Sequence, residues 1–413
     1  MNQMNHGMPG KSSIFLFSFL VMALCLPGLS PVLQAQSSDD DFVNVGGALR
    51  FNFYHTDYGG GTSPNDTQFT IDTWRFNVVA RHSGVGLNFE YRFYPTFNTH
   101  FLKQGWIDYA LTGRTEIQLG VTQVPFGNLP YNSHNWWFQG GYYVGLEDDH
   151  DTGFKLIHSR ENWNLMVAYF IQPEPGGPAH GTGSYGIGGP GRYSYDIIPV
   201  RLTDPWGGVL GSAADQSNQE KNQVNLRSTW TLDHDIGEIE IGGSLQYGGI
   251  YNSVQDRSGT RTAWALHADG SYGHWNLLAQ YSWLNHNDVV DDTGSPVDLV
   301  YMAAYGDPYP VAMAMSISSI GLAYSLDVNA GSLSNLQFYN NYSYFHKRQS
   351  GFEDSHQNML GVLATIGNIY AYFDIASGIN HPWLNGSFGS GLDRGVSGAR
   401  MNTRFNINIG YYF

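Results

Sequence analysis

Apolar and polar positions alternate in steps of two along most of this chain. In Phe42–Thr56, the residues Val43, Val45, Leu49, Phe51 and Phe53 share a face. Gln68–His82 repeats the pattern with Trp74, Phe76, Val78 and Ala80, and Val85–Tyr94 with Val85, Leu87, Phe89, Tyr91 and Phe93. Glu238–Asn252 does so with Ile239, Ile241, Leu245, Tyr247 and Tyr251. Successive side chains of an extended strand point to opposite faces, so this period predicts β-strands with one apolar face. The same reading places strands at His100–Thr112, Glu116–Thr122, Asp151–His158, Trp163–Gln172, Gln223–Leu232, Arg261–Ser271, Trp275–His286, Met315–Leu326, Leu336–Phe345, Asn358–Ile366 and Ile369–Ala376. With Arg400–Phe413 the set numbers about sixteen.

That last stretch, RMNTRFNINIGYYF, keeps the alternation to the end. Phe405, Ile407, Ile409, Tyr411 and Phe413 fall on one side, and Arg404, Asn406, Asn408, Gly410 and Tyr412 on the other. A long two-faced strand that finishes on an aromatic residue resembles the closing strand of bacterial outer-membrane barrels. The resemblance implies that Phe413 is the signal read by the barrel-assembly machinery. An edge strand of a soluble sandwich is the alternative.

The connections alternate in length. Short ones, such as Ser83-Gly84, Gly113-Arg114, Gly273-His274 and Gly367-Asn368, alternate with longer ones. The longer ones are Asp57–Thr67, Pro95–Thr99, Gln123–His150, Pro173–Asn222, Ser253–Thr260, Asn287–Ala314, Lys347–Gln357 and Ser377–Ala399. An up-and-down membrane barrel has short turns at one rim and long loops at the other. An open sheet would leave its edge groups unpaired in hydrocarbon, so the first and last strands must close on each other. The expected fold is therefore all-β: a closed antiparallel up-and-down transmembrane β-barrel of about 16 strands, wide enough for an aqueous channel.

Composition supports this. The chain has 51 Gly and is 15% aromatic but only 13% charged. Aromatic residues form girdles at the edges of a barrel's apolar band. Residues 1–35 read as a signal peptide: Lys11, then the apolar run Ile14–Leu26, then Leu33-Gln34-Ala35 before the cut. The run is shorter than the ~20 residues of a spanning helix. Residues 36–413 would then form the barrel. Cys25, the only cysteine, lies in the signal, so disulfides, thiolate metal sites and cysteine nucleophiles are excluded from the rest. Without Lys11, 19 bases face 35 acids, a formal charge of −16 that argues against nucleic acid as a partner. No Gly-x-Ser-x-Gly segment occurs, and an enzyme is not expected.

The third long connection, Gln123–His150, follows the fifth strand. Here the chain resembles the bacterial sixteen-stranded porins, and Val124-Pro125-Phe126-Gly127 resembles the segment at this place in the phosphate-selective porin O and P superfamily. The resemblance implies a third outer loop folded into the lumen as a constriction. It also implies a homotrimer set in outer-membrane lipid and lipopolysaccharide, with small solutes as permeants. The loop departs from the phosphate porins, because Gln123–His150 contains no Lys or Arg. Phosphate selectivity is not expected.

If Phe51, Trp74, Phe76, Phe93 and Phe405 face lipid, then Arg50, Arg75, Arg92 and Arg404 face the lumen at about mid-height, on strands that neighbour one another after closure. Opposite them the loop carries Glu147, Asp148 and Asp149. Charge clusters of this kind select among ions, and the expectation is a weak cation preference. Other readings stay open. The three acids are a solvated loop end, or with Asp151 they ligate Ca²⁺, although the loop lacks an alternating oxygen-ligand pattern. Asp72 could neutralise Arg75, and Glu90 could neutralise Arg92. The loop aromatics Trp136, Trp137, Phe138, Tyr142 and Tyr143 pack the loop against the wall, or guide sugars or aromatic solutes. Residues 173–222, rich in Gly and Pro, read as an irregular outer loop. No cofactor and no metal centre are expected. The functional reading is a porin for passive diffusion of small hydrophilic solutes and ions, with a substrate-specific channel or a barrel enzyme as alternatives.

Overall fold

The computed structural model describes residues 41–59, 67–178, 191–202 and 214–413. The signal segment and parts of the connections 57–67 and 173–222 lie outside the described residues. The strands are β1 (Phe42–Thr56), β2 (Thr67–His82), β3 (Val85–Tyr94), β4 (Thr99–Thr112), β5 (Thr115–Gln123), β6 (His150–Arg160), β7 (Trp163–Pro173), β8 (Asp196–Ile197), β9 (Asn218–His234), β10 (Gly237–Asn252), β11 (Arg257–Tyr272), β12 (Trp275–Asn287), β13 (Leu299–Ala304), β14 (Asp307–Ala312), β15 (Ala314–Ala330), β16 (Leu333–Lys347), β17 (Ser355–Ile366), β18 (Ile369–Ile379) and β19 (Asn402–Tyr412).

Sixteen of these form one closed barrel; β8, β13 and β14 form a separate three-stranded sheet. Every barrel strand is antiparallel to its neighbours, and β1 pairs with β19, with Phe51 opposite Ile409 and Phe53 opposite Ile407. All seven hairpins at the short-turn rim have two-residue turns, the length that fits the right-handed twist of paired strands. Several turns place Gly at positive φ, as at Gly84 and Gly273. At the seam Phe413 N donates to Gly47 O (3.1 Å) and Gly47 N to Phe413 O (2.9 Å). A Cβ on Gly47 would lie 2.5 Å from Arg75 O and 2.8 Å from the Phe413 ring, so the last residue can close the sheet only over glycine.

The outer surface is apolar on all sides. Phe53, Trp74, Phe76, Leu87, Ile107, Leu119, Trp230, Leu245, Leu266, Ile320, Phe373 and Phe405 are exposed. A closed barrel with such a surface satisfies its backbone internally and suits hydrocarbon.

At the long-loop rim the lumen holds a folded core. Val144, Leu146, Tyr193, Tyr195, Ile197, Val300, Met302, Tyr309 and Leu392, all from connections, pack together against Phe101, Phe170, Ile250, Leu284 and Phe345 of the wall. The sequence pattern missed the inner sheet, because it read 173–222 and Asn287–Ala314 as loops. β8 is too short to show a period. β14 contains Pro308 and Pro310, which a sheet tolerates at an edge, and β14 is an edge of this sheet. The signal available was Tyr305-Gly306, both at positive φ, which forms the tight turn between β13 and β14.

Candidate permeation site

The loop 124–149 leaves β5 and reaches the wall opposite. Gly127 N donates to Ser244 Oγ on β10 (3.0 Å), Asn128 N to Gln280 Oε1 on β12 (2.9 Å), and Gly140 N to Ser343 Oγ on β16 (2.9 Å). Arg227 on β9 donates to Gly127 O at 2.7 Å. Arg261 on β11, 1% exposed, donates to Val144 O and Gly145 O at 2.8 Å each and pairs with Glu220 at 3.1 Å.

Between the loop and the wall lies a cavity of about 560 Å³. Arg50, Arg75, Arg92 and Arg404 line one side of it, and Trp136, Trp137, Phe138, Tyr142 and Tyr143 the other, with Tyr193, Tyr305 and Trp383 from the later loops. Each arginine lies over a ring: Arg50 over Trp136 (5.9 Å), Arg75 over Tyr412 (4.6 Å), Arg92 over Tyr193 (4.6 Å), Arg404 over Tyr54 (3.7 Å) and Trp137 (4.7 Å). These are cation–π distances. The loop rings are themselves fixed. Phe138 stacks on Tyr142 at 4.2 Å, Tyr143 Oη donates to Trp137 O (2.8 Å), and Tyr309 Oη to Tyr143 O (2.6 Å). Packing and cavity lining are thus roles of the same side chains.

Of the two ion pairs the sequence suggested, Glu90–Arg92 is present and Asp72–Arg75 is not. Asp72 pairs with Arg50 at 2.7 Å, not with Arg75; Glu90 holds Arg92 at 2.5 Å and Arg75 at 3.8 Å. Arg404 has no carboxylate partner among the described residues and bonds Asn406 Oδ1 at 2.8 Å. The reason is a bulge. The β1–β2 register shifts between Arg50 and Phe51, so that Asp72 and Thr73 both turn inward. A second bulge, on β4 opposite Glu90/Tyr91, turns Lys103 inward, where strict alternation puts it on the lipid face with Ile107. Bulges re-aim side chains in this way.

The loop acids do not face the arginines. Glu147, Asp148 and Asp149 are buried, and none lines the cavity. Glu147 instead ties the loop together, accepting from Asn132 N and Gln139 N at 3.1 Å each. Asp148 pairs with Lys103 at 3.3 Å and accepts from Tyr193 Oη at 2.6 Å. Burial pushes the Glu147 carboxyl up to about 8 and raises Asp148 against the pull of Lys103. Burial, with Asp196 and Glu220 nearby, holds Asp149 well above the usual carboxylate range. Lys103, Tyr193, Tyr305 and Arg261 went unnoticed in the sequence; the two tyrosines lie in stretches with no period, and nothing local marks them.

A closed barrel of sixteen antiparallel strands, with an inward loop after the fifth, is the architecture of the outer-membrane porins. The anion-selective porin of Comamonas acidovorans is similar over 91% of this chain and 100% of its own, at 11% identity and a TM-score of 0.53. OprB of Pseudomonas putida matches over 90% and 94%, at 10% identity and 0.55. The trimer form of OmpT, an outer-membrane protein of Vibrio cholerae, matches over 91% and 100%, at 14% identity and 0.51. No protein-family profile and no curated protein matches the chain in sequence.

Proposed function

We propose that this chain is an outer-membrane porin through which small hydrophilic solutes diffuse passively, and that its passage favours anions. The observation that carries the reading is the cavity wall. Four guanidinium groups stand there against the carboxylates of Asp72 and Glu90, an excess of two positive charges. The sequence-based preference for cations depended on Glu147, Asp148 and Asp149 reaching the passage, and these sit buried under the loop. A homotrimer is the proposed assembly, as in the trimeric Vibrio barrel.

Purified protein in planar bilayers should give discrete conductance steps, a reversal potential on the anion side in a KCl gradient, and no phospholipase or protease activity. A folded barrel that gives no steps, or that hydrolyses phospholipid, overturns the reading. Phe413 is the proposed assembly signal, on the strength of its place at the seam. Its deletion should deplete heat-modifiable barrel from the outer membrane while export continues; undiminished barrel on a gel of membrane fractions counts against that role.

A further inference from the structure

Asp149, Asp151 and Asp196 each bring a carboxylate oxygen to a point where all three atoms lie within 4.8 Å of one another. The side chains come from the end of the loop 124–149, the start of β6 and β8. They are 5%, 3% and 1% exposed. Glu174, 1% exposed, lies against Asp196, and the Glu220 carboxylate acts on all three aspartates. Two cations answer these five acids: Arg192, 3.5 Å from Asp196, and Arg261, paired with Glu220. If all five acids are ionised, three negative charges are left over in a place closed to water.

The hydrogen bonds do not remove the excess. Asp151 accepts one bond from Gln223 Nε2 at 2.9 Å, and Glu174 Oε1 accepts from Tyr193 N and Ser194 N. Asp149 Oδ1, Asp151 Oδ1 and Glu174 Oε2 have no donor among the described residues, and Asp196 Oδ2 has only the Arg192 guanidinium at 3.5 Å, outside hydrogen-bond geometry. Acidic clusters are common at surfaces. Three buried carboxylate oxygens without any donor are not, because each costs free energy on leaving water. The donor set is oxygen only, with neither imidazole nor thiolate, which selects hard cations over zinc or copper. Calcium binds oxygens at about 2.3–2.6 Å, so ligands on opposite sides of it lie about 5 Å apart. The spread observed here fits inside that shell.

We propose that Asp149, Asp151 and Asp196, with Glu174 beside them, bind a divalent hard cation, Ca²⁺ foremost, which ties the end of the constriction loop to β6 and β8. The site is separate from the arginine-lined cavity and does not depend on what the passage conducts.

The full chain, purified in detergent and stripped with EGTA, is dialysed to equilibrium against radiolabelled Ca²⁺ at pH 7.5, beside the double variant Asp149→Asn/Asp196→Asn. The variant supplies the background from bound lipopolysaccharide. The native chain should retain about one Ca²⁺ per chain more than the variant, and Ca²⁺ should raise the melting temperature of the native chain only. The amides keep the shape and relieve repulsion, so in EGTA the variant should melt at or above the native temperature; if it does not fold, Asp196→Asn alone is read the same way. Equal Ca²⁺ on both proteins overturns the proposal. So does a native chain that binds none and melts higher as the pH falls from 7.5 to 5.5, for then protons fill the cluster.

Discussion

Replacing Arg50, Arg75, Arg92 and Arg404 together with glutamine should move the reversal potential in a KCl gradient from the anion side to the cation side. The wall then keeps Asp72 and Glu90 and loses every guanidinium that faces the cavity. At ~8 Å, about one Debye length at physiological salt, screening cuts the roughly 0.5 kcal/mol of a unit charge in water to about 0.2. Four sum to roughly 0.8 kcal/mol, which chloride and potassium feel with opposite sign, so the difference between them is about 1.5 kcal/mol, close to the ~1.4 kcal/mol of a tenfold ratio. The chloride-to-potassium permeability ratio should therefore fall by about tenfold. Amide replacements at Glu147, Asp148 and Asp149 should leave it nearly unchanged, since these groups are buried away from the cavity. If the amides shift the potential and the glutamines do not, ions take another route through the barrel.

Arg261→Met should loosen the constriction loop without opening the barrel. The side chain reaches two loop carbonyls and the Glu220 carboxylate, and methionine replaces its length but none of these bonds. Removing one partner of a buried pair costs about 3–5 kcal/mol. The expected result is a lower melting temperature, noisier single-channel current and new protease cuts within 124–149, while the barrel still migrates as a folded species. An unchanged melting temperature with an uncut loop would mean that the contacts of Gly127, Asn128 and Gly140 suffice to hold it.

The barrel was legible in the sequence, and its physics explains why. A strand with hydrocarbon on one side and water on the other must alternate along its whole length. Thus all sixteen barrel strands were found, with ends misjudged by a few residues, as for Gln223–Leu232 against Asn218–His234. Alternation is also what fails between Arg50 and Phe51 and at Lys103, where a single extra residue reverses the faces. Two connections expected to be long, at Pro95 and Ser253, are only four residues each. Arg50, Arg75, Arg92 and Arg404 sit on strands, where parity sets direction, and they line the cavity. The loop acids were not placed, because a loop has no parity. Its path is set by partners such as Ser244, Gln280 and Ser343, which lie 117, 152 and 203 residues further along the chain.

The core packed inside the long-loop rim has a consequence for how such a passage can change. One bank of it is a strand wall, held by a closed backbone ladder that does not depend on which side chains point inward. The other bank is the flank of a folded body, whose position depends on many buried contacts at once. Point substitutions on the wall therefore alter which charge is favoured. Room for a larger solute comes only from redesigning the insert, and extra strands in the barrel would give that insert more space to fill before they gave any to the solute.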